Sequence, residues 1–338
     1  MNSKRRNFIK KTLLATSGIA FSSGLSAKSY RKIIGSNDRI RVGIVGFSNR
    51  SKYSLIPSFL QFSKKLNFEI VGVSDIWNRR RLEGAEFIKS KTGLKVDKWR
   101  NNEEMYEKNK IDSVIISTAD FQHAIHTVEA AESKKDVYVE KPLAIDVDSI
   151  TRIEEAMYNA EDPKIFLGFN RRFSGASQFI KEKLNIYPAN AINFRFSVPK
   201  LERDHWTNIK EIGGGRIVGE AIHAIDLGTY FFESLPQSIS SYCPINKDSG
   251  EVYDNQVFIN INYANGSHAA IQYFSDTNDN LSKERLEIHG NDNSFIVEDF
   301  QLMRYLIGPD DKSKVFSDGK GHKQAIETFL SYVKNEIP

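Results

Sequence analysis

Apolar and polar positions alternate regularly between residues 38 and 170, and this pattern predicts strands separated by helices. Four apolar runs indicate buried strands, RIRVGIVGF, FEIVGVSD, DSVIISTAD and DVYVEKP, and KIFLGFN indicates a further one. The segments between them are polar and rich in helix-forming residues, as in RRRLEGAEFIKSKTG and HAIHTVEAAESKK. Strands and helices that alternate at this spacing form βαβ units. We therefore predict a parallel sheet covered by helices on both faces.

The pattern changes after residue 171. Apolar residues at helical spacing occur in SGASQFIKEKLN, GRIVGEAIHAIDLGTYFF and HKQAIETFLSYVKN. ANAINFRFSV alternates as a half-buried strand does, and further strands are predicted at SISSYC, QVFININY, SHAAIQYF, ERLEIHG and NSFIVED. Asn265-Gly266 predicts a hairpin turn between two of these strands. The chain is thus predicted to be α/β, with a doubly wound Rossmann domain at 38–170. An α+β domain with a large, mostly antiparallel open sheet is predicted to follow at 171–338.

Residues 1–27 have the composition of a targeting segment, with a basic start, a modestly apolar middle and small residues towards Ala27. Arg5-Arg6 followed by NFIK resembles a twin-arginine export signal, except that Lys4 occupies a position where Ser or Thr is more usual. We expect export in the folded state to the periplasm or cell envelope. A disordered basic tail is the alternative.

The charge and cysteine content exclude several classes of function. The formal net charge of the chain is +4, but residues 1–27 hold five basic residues and no acid, so the remainder carries 4 − 5 = −1. Such a balance gives no basic surface for nucleic acid. The absence of a run of eighteen apolar residues argues against a stable membrane span after signal removal. Cys243 is the only cysteine, which excludes an intrachain disulfide and a cysteine-rich metal site.

The turn after the first predicted strand is a candidate dinucleotide site. Such turns usually carry three glycines, whereas this one has Gly46, then Ser48 and Ser51. Gly46 permits a tight turn, and the small serines let a pyrophosphate approach the backbone N–H groups at a helix N-terminus. We therefore predict cofactor contacts at Gly46, Phe47, Ser48 and Asn49.

The next predicted strand ends in Asp75, and this acid affects whether NAD or NADP binds. Asp75 is placed to accept hydrogen bonds from ribose hydroxyls and to repel a 2′-phosphate, so NAD is predicted rather than NADP. A helix cap is the alternative role for this aspartate. The basic residues 79–81 keep NADP open. Ser117 and Thr118 follow another strand and His123 opens the next helix, and all three are predicted near the cofactor, although His123 alone also fits a capping or surface residue.

Four segments together resemble the Gfo/Idh/MocA family of NAD(P)-dependent sugar oxidoreductases. They are VYVEKPLA at 137–144 after STADFQH, GFNRRFS at 168–174, GGGRIVGEAIHAIDL at 213–227, and KERLEIHGNDNSFIVED at 283–299. The resemblance covers residues 40 to 335. It implies a Rossmann domain followed by a domain whose open sheet face joins subunits, hence a homo-oligomer. It also implies a sugar or glycoside substrate and no metal.

The resemblance implies roles for the matched residues. Lys141 is the first candidate to exchange the hydroxyl proton, with Glu140 orienting this lysine or the nicotinamide; alone, a lysine at this position is most often a solvated charge. His223 is the second candidate, either as the base or as a hydrogen-bond partner of the reacting hydroxyl. Glu220 and Asp226 lie three residues to either side, and we expect their carboxylates to raise its pKa or fix its tautomer. Many members place an aspartate where this chain has Gly219.

Further candidates line the same predicted site. Arg171 is predicted to hold substrate hydroxyls or a carboxylate, Arg172 to contact the cofactor, and His205, Trp206 and Asp226 to contact substrate. The set Glu220, His223 and Asp226, with His205, is also compatible with a metal site. We expect no metal, because Lys141 already supplies positive charge.

These inferences predict NAD(P)-dependent oxidation of a hydroxyl on a sugar or glycoside. An exported enzyme meets little free NAD, so we expect a tightly held cofactor that is regenerated in place. One alternative is a redox-neutral NAD-dependent glycosidase that works through a transient 3-keto sugar. Another is a non-catalytic, NAD-loaded sugar-binding or sensor protein.

Overall fold

The structure is a computed structural model that describes residues 39–334, other than 161–162, 187, 203, 246 and 248–255. The predicted export signal at 1–27 lies outside the described residues. Within the described part of the chain, helices are too short or too polar to cross a bilayer.

The first sheet has six parallel strands in the order β3-β2-β1-β4-β5-β6. Its strands are β1 (Ile40–Val45), β2 (Phe68–Ser74), β3 (Asp97–Trp99), β4 (Ser113–Ile116), β5 (Asp136–Val139) and β6 (Ile165–Leu167). The apolar runs of the sequence become its central strands, because helices cover both faces and leave no solvent-facing side. The parallel sheet is confirmed. The strand order reverses between β1 and β4, which opens a crevice at the carboxyl ends of these strands.

Nine α-helical segments accompany the two sheets within the described residues. They are α1 (Ile56–Gln61), α2 (Asn78–Thr92), α3 (Asn102–Lys108), α4 (His123–Glu132), α5 (Val147–Asn159), α6 (Gly175–Leu184), α7 (Lys210–Gly213), α8 (Ile222–Phe232) and α9 (His322–Val333). Two of them extend π-helical turns, at Ser51–Leu55 before α1 and at Ile217–Ala221 before α8. The sequence predicted a regular helix across the second of these turns.

The second sheet has eight strands in the order β14-β13-β12-β11-β7-β10-β9-β8. They are β7 (Ala191–Val198), β8 (Pro236–Tyr242), β9 (Gln256–Tyr263), β10 (His268–Ser275), β11 (Glu284–Gly290), β12 (Asn293–Glu298), β13 (Leu302–Ile307) and β14 (Asp310–Val315). Only β7 and β10 pair in parallel, so the mostly antiparallel sheet is confirmed. Asn265-Gly266 forms the turn between β9 and β10, with Gly266 at a φ of 85°.

The last helix packs against the first sheet, although the predicted boundary grouped it with the second. Phe329 of α9 is fully buried, and its ring lies 5.5 Å from that of Tyr138 and 5.7 Å from that of Phe166, between centroids. Ile326 and Leu330 join the same core. The chain therefore returns to the first sheet after completing the second, and the start of α9 lies beside the crevice of the first sheet.

Candidate active site

A cavity of about 900 Å³ lies at the carboxyl ends of β1, β2, β4 and β5. Its volume is in the range of pockets that hold small ligands and cofactors. Elements of the second half of the chain close its other side through Trp206, Ile212, Glu220 and His223. The predicted site residues that line it are Gly46, Phe47, Ser48, Asn49, Asp75, Ser117, Thr118, Glu140, Lys141, Arg171, Trp206, Glu220 and His223.

The turn after β1 is tight enough to require Gly46. Its φ is +84°, and an added Cβ would lie 2.6 Å from Thr118 Cγ2 and 2.8 Å from the carbonyl oxygen of Ser117. Ser48 Oγ accepts the N–H of Ser51 at 3.2 Å and lies 2.8 Å from Ser117 Oγ, so it caps the following helix. Ser51 Oγ donates to the carbonyl of Gly46 at 2.9 Å. The serines that replace the usual glycines therefore hold the turn together.

Asp75 braces the same turn. Its Oδ2 accepts the N–H of Phe47 at 3.0 Å, and its Oδ1 accepts the N–H of Trp77 at 2.9 Å. Trp77, not Asp75, is the N-cap of α2, so the alternative role as a helix cap does not apply. Each carboxylate oxygen has two lone pairs, which leaves Asp75 able to accept from ribose hydroxyls as well.

Two arginines near Asp75 are held by hydrogen bonds to the backbone, and one of them also lines the cavity. Arg81 Nη1 donates to the carbonyls of Asp75 at 2.6 Å and of Ile76 at 3.0 Å, which holds it to the backbone. Arg80 Nη1 donates to the carbonyl of Phe47 at 3.0 Å, and its guanidinium carbon lies 5.2 Å from the Trp77 ring centroid. Because Arg80 also lines the cavity, NADP stays open as a second cofactor.

Lys141 follows β5 and points across the cavity to the second half of the chain. Its Nζ donates to the carbonyl of Gly219 at 2.8 Å. Burial lowers the pKa of Lys141, while the carboxylates of Glu140 and Asp120 oppose the shift. Gly219 belongs to the π-helical turn before α8, and such turns leave carbonyls free of the regular helical ladder. The Lys141–Pro142 peptide bond is cis.

A chain of polar contacts links Glu140 to the last helix. Arg50 Nε donates to Glu140 Oε1 at 3.1 Å, and Arg50 Nη2 donates to Nδ1 of His322 at 3.1 Å. Burial and the nearby charges of Arg50 and Arg171 lower the pKa of His322 to about 3. This histidine is therefore neutral and accepts the arginine hydrogen bond.

His223 is buried in α8, and its Nδ1 has no hydrogen-bond partner within the described residues. Burial, followed by the positive charges of Arg171 and Lys141, lowers the pKa of His223 well below its usual value. The expectation that Glu220 and Asp226 raise this pKa or fix the tautomer is wrong. Both carboxylates face arginines instead: Glu220 lies 3.3 Å from Arg216, and Asp226 pairs with Arg172.

Four predicted site residues lie outside the cavity lining. Arg172 and Asp226 bind each other, with Arg172 Nε 2.8 and 2.9 Å from the two carboxylate oxygens. His123 is buried beneath the site and donates from Nδ1 to the carbonyl of Pro142 at 2.7 Å. His205 Nδ1 lies 2.8 Å from Thr207 Oγ1 and caps the short turn that presents Trp206. Each is engaged by protein groups, so we assign these four to the support of the site.

Arg171 lines the cavity while holding a buried acid. Its Nε and Nη2 donate to the two carboxylate oxygens of Glu284 at 2.6 and 2.7 Å, and Lys320 Nζ binds the same carboxylate. Burial alone raises the pKa of Glu284, but Arg171 and Lys320 outweigh it and lower the value to about 2.

Within the described residues, groups of three His, Cys, Asp or Glu side chains suited to a metal ion do not occur. The metal alternative on Glu220, His223, Asp226 and His205 therefore lacks a ligand cluster there.

Several lining residues were not singled out from the sequence. They are Arg50, Arg100, Asp120, Lys283, Lys320 and His322. Arg50 and Asp120 stand within a few residues of recognised motifs, and this proximity was the available signal. Lys283 opens the segment at 283–299 that carries the family resemblance, which was likewise a signal. Lys320 and His322 lie outside the motifs of the resemblance, and only the tertiary fold brings them to the cavity.

The residues present fit a dinucleotide. The Gly46 cradle admits no side chain, the following helix directs its N-terminus towards the cavity, and Asp75 ends the adjacent strand. These are the features that a Rossmann crevice offers to pyrophosphate and ribose.

Comparison with protein families supports this interpretation. Residues 40–166 match the GFO_IDH_MocA model, described as an oxidoreductase family with an NAD-binding Rossmann fold. Residues 189–296 match the GFO/IDH/MocA C-terminal domain. The match to an NAD-binding domain confirms the predicted NAD cofactor.

Individual relatives are more distant. Inositol 2-dehydrogenase of Rubrobacter xylanophilus is 25% identical over 209 residues, which cover 59% of this chain and 54% of the relative. Glucose-6-phosphate 3-dehydrogenase of Bacillus subtilis is 27% identical over 221 residues, which cover 58% and 60% of the two chains. The matched stretches thus span little more than half of these relatives. A levoglucosan dehydrogenase solved with NADH and levoglucosan has a TM-score of 0.71 at 16% identity, covering 88% of this chain and 90% of its own.

Proposed function

The chain belongs to the Gfo/Idh/MocA oxidoreductase family, and we propose that it oxidises a CH–OH group of a sugar or glycoside with tightly held NAD as hydride acceptor. One observation carries the proposal. A single cavity is lined both by the Gly46 turn with Asp75 and by Lys141 with His223. The cofactor residues and the proton-handling residues therefore face the same space.

The chain's own residues would hold the cofactor at one end of the cavity. Backbone N–H groups of the Gly46–Asn49 turn suit the pyrophosphate, and the Asp75 carboxylate suits the ribose hydroxyls. Bound NAD supplies the carbon that accepts hydride. Arg80 and Arg100 line the cavity as well and keep NADP as the second choice.

Lys141 is the proposed proton acceptor. Loss of hydride from a carbinol carbon requires that the hydroxyl proton leave for a base, and a neutral amine is one. Burial lowers the pKa of Lys141 and so increases the neutral fraction. The proton moves to Nζ, the C–H electron pair leaves with the hydride, and the carbinol becomes a carbonyl. In reduction the same amine returns the proton.

His223 is the proposed hydrogen-bond partner of the reacting oxygen. Its depressed pKa keeps the ring neutral at neutral pH, so it orients the hydroxyl without adding a second positive charge beside Lys141. Glu140 steadies the lysine from the same strand end while itself held by Arg50.

The relatives support the substrate class. Two of them are named as dehydrogenases of inositol and of glucose 6-phosphate, which are polyhydroxylated six-carbon compounds. The exposed indole of Trp206 at the cavity suits the apolar face of such a ring.

The experiment is to purify the protein, measure its bound nicotinamide, and follow the near-ultraviolet absorbance of reduced nicotinamide on adding a panel of sugars and glycosides. Lasting reduction with at least one sugar supports the proposal. Release of product from an aryl glycoside without lasting reduction would favour the redox-neutral glycosidase. Binding of sugar with neither outcome would favour a sensor.

We also propose that the protein is exported folded through the twin-arginine route and assembles through the outward face of its second sheet. The Arg5-Arg6 pair supports the first proposal, and the family resemblance supports the second. Fractionation of cells expressing wild type or an Arg5→Lys/Arg6→Lys variant tests export, and light scattering tests the oligomer. A variant that is exported normally, or a monomer at working concentration, would contradict these proposals.

A further inference from the structure

Two acids that bind cavity-lining cations, Glu284 and Glu220, are each shared by two cationic groups. Glu284 accepts both Arg171, at 2.6 and 2.7 Å, and Lys320. Glu220 lies 3.3 Å from Arg216 and 3.7 Å from Lys283. One carboxylate neutralises only one cation, so each of these clusters has a surplus positive charge.

Glu140 is a third acid that lies near two cationic groups. Glu140 binds Arg50 at 3.1 Å, and the charge of the adjacent Lys141 also lies in its field. Asp120 is the remaining acid near Lys141, and burial raises its pKa to about 6. With Lys141 charged, the six cations of these clusters face four carboxylates, which leaves two positive charges uncompensated by the protein. With Lys141 neutral, as it is when it accepts the hydroxyl proton, one uncompensated positive charge remains.

These groups surround one side of the cavity. Arg50, Lys141, Arg171, Lys283 and Lys320 all line it, and Arg216 is buried behind Glu220. Two neutral histidines, His223 and His322, lie among them, and positive charges contribute to the depressed pKa of both. The surplus charge is therefore presented to whatever fills this part of the cavity.

Lys320 is held in place by the backbone around it. Asn170 Nδ2 donates to its carbonyl at 2.5 Å. The next residue, Gly321, has a φ of +80°, and a Cβ there would lie 2.4 Å from the N atom of Ser174. The loop is thus pressed against the segment that carries Arg171, and both cations reach the same carboxylate from fixed positions.

Arg50, Lys283 and Lys320 are only partly buried, at 36%, 46% and 26% exposure, so their excess positive charge faces the cavity. A cavity lined by an excess of one sign of charge attracts ligands of the opposite sign. The pyrophosphate of NAD is proposed to lie at the turn after β1, next to Arg50. Lys283 and Lys320 are carried by other elements, just before β11 and in the loop before α9, and they share Glu220 and Glu284 with Arg216 and Arg171. We infer that the substrate carries an anionic group, a carboxylate or a phosphate, which Lys320 and Lys283 bind while Lys141 addresses the hydroxyl. This inference rests on the proposed function and narrows its substrate class to acidic sugars.

The test compares sugars that differ only at C6: glucose, glucuronate and glucose 6-phosphate, and likewise galactose, galacturonate and galactose 6-phosphate. With NAD-loaded protein, binding is measured by calorimetry and turnover by nicotinamide reduction. We expect an acidic member of at least one set to bind about 10- to 100-fold more tightly than its neutral parent, the range for one charge-assisted hydrogen bond. The acidic sugar that binds more tightly, the uronate or the 6-phosphate, shows whether the site prefers a carboxylate or a phosphate.

Two variants assign the preference to the lysines. Lys320→Gln and Lys283→Gln should each reduce the acidic-to-neutral affinity ratio by about tenfold. Lys89→Gln removes the same charge from the exposed face of α2, where the lysine side chain is 58% exposed, and should leave the ratio unchanged. The half-exposed side chain of Lys283 makes its variant the safer one for folding.

The outcomes separate this inference from the proposed function. Oxidation of neutral sugars with equal or better efficiency overturns the inference and leaves the oxidoreductase standing. Tight, lysine-dependent binding of an acidic sugar without nicotinamide reduction supports the inference and counts against the oxidoreductase. Failure of every acidic sugar to bind, or an affinity ratio unaffected by both variants, also overturns it.

Discussion

Gly46 determines the path of the turn on which cofactor binding depends. Its left-handed backbone and the 2.6 Å approach of Thr118 Cγ2 leave no room for a side chain. We predict that Gly46→Ala destabilises the fold by roughly 1–3 kcal/mol and weakens NAD binding, because the turn must shift away from the pyrophosphate. Chemical denaturation and NAD titration measure the two effects.

Gly266→Ala is the matched control for this substitution. Gly266 has a φ of +85°, but a Cβ there meets no atom within 4 Å among the described residues. It should therefore cost only the backbone strain, about 1 kcal/mol, and leave NAD affinity unchanged. Equal effects of the two variants on NAD binding would show that the collision at Gly46 is irrelevant to the cofactor.

Gly219 offers a second test at the residue scale. Its carbonyl accepts Lys141, and an added Cβ would meet only the carbonyl oxygen of Gly213, at 3.9 Å. Gly219→Asp brings a carboxylate close to the lysine, which favours the charged amine. We predict that the rise of kcat/KM with pH in the oxidation direction moves to higher pH by about one unit.

The variant Gly219→Asn adds a side chain of the same shape as aspartate but without its charge. The pH dependence of kcat/KM in this variant should be the same as in wild type. His223 should add no further inflection where histidines ordinarily titrate, because its pKa is depressed by burial and neighbouring cations. A profile that is the same in wild type and Gly219→Asp would remove Lys141 as the titrating base.

At the scale of elements, Glu284 at the start of β11 joins three parts of the chain through Arg171 and Lys320. Its pKa is about 2 in the fold against an ordinary value of 4.5, so its ionised form stabilises the native state. The shift corresponds to about 3 kcal/mol. We predict that Glu284→Gln lowers the free energy of unfolding by about that amount at neutral pH.

The pH dependence follows from the sign of the shift. The contribution of Glu284 is complete above pH 4.5 and is lost as the pH falls towards 2, because protons then bind the native carboxylate too. The difference between wild type and Glu284→Gln should shrink over that window in urea titrations. Glu86→Gln, at an acid whose side chain is 75% exposed, should show little difference at any pH. A constant difference for Glu284→Gln would contradict the account.

Most elements that the sequence predicted have a buried face, although SISSYC became β8, whose residues are all exposed. The central strands of the first sheet are apolar runs, and those of the second alternate, so periodicity reveals both. The pattern did not reveal β3, which has three residues, β13, or β14, whose residues are all exposed. β3 and β14 take their conformation from pairing with neighbours, which leaves no signal in their own hydrophobic pattern.

The same limit applies to the site. Gly46, Asp75, Lys141 and His223 stand in local motifs, and the structure places them around one cavity. The pairing of Arg172 with Asp226, which removes both from the lining, depends on the approach of the segment after β6 to α8. The arrival of Lys320 depends on the loop before α9. Such long-range pairings are decided by tertiary packing and have no counterpart in local spacing.

At the scale of the whole molecule, the cavity is a joint product of the two sheets. The first sheet contributes the cofactor turn and Lys141, and the second half of the chain contributes His223, Lys283 and Lys320. Hydride transfer is therefore predicted to require a cofactor and a substrate that contact residues of both halves of the chain. Lys141 lies at that junction, since its Nζ donates to a carbonyl 78 residues further along the chain.

The rate of nicotinamide reduction in NAD-loaded Lys141→Ala, compared with wild type on the same sugar, tests this account most directly. The account predicts a fall of about 10²- to 10⁴-fold, the usual worth of a positioned acid–base group, with NAD affinity nearly unchanged. An unaltered rate of reduction in the variant would contradict it.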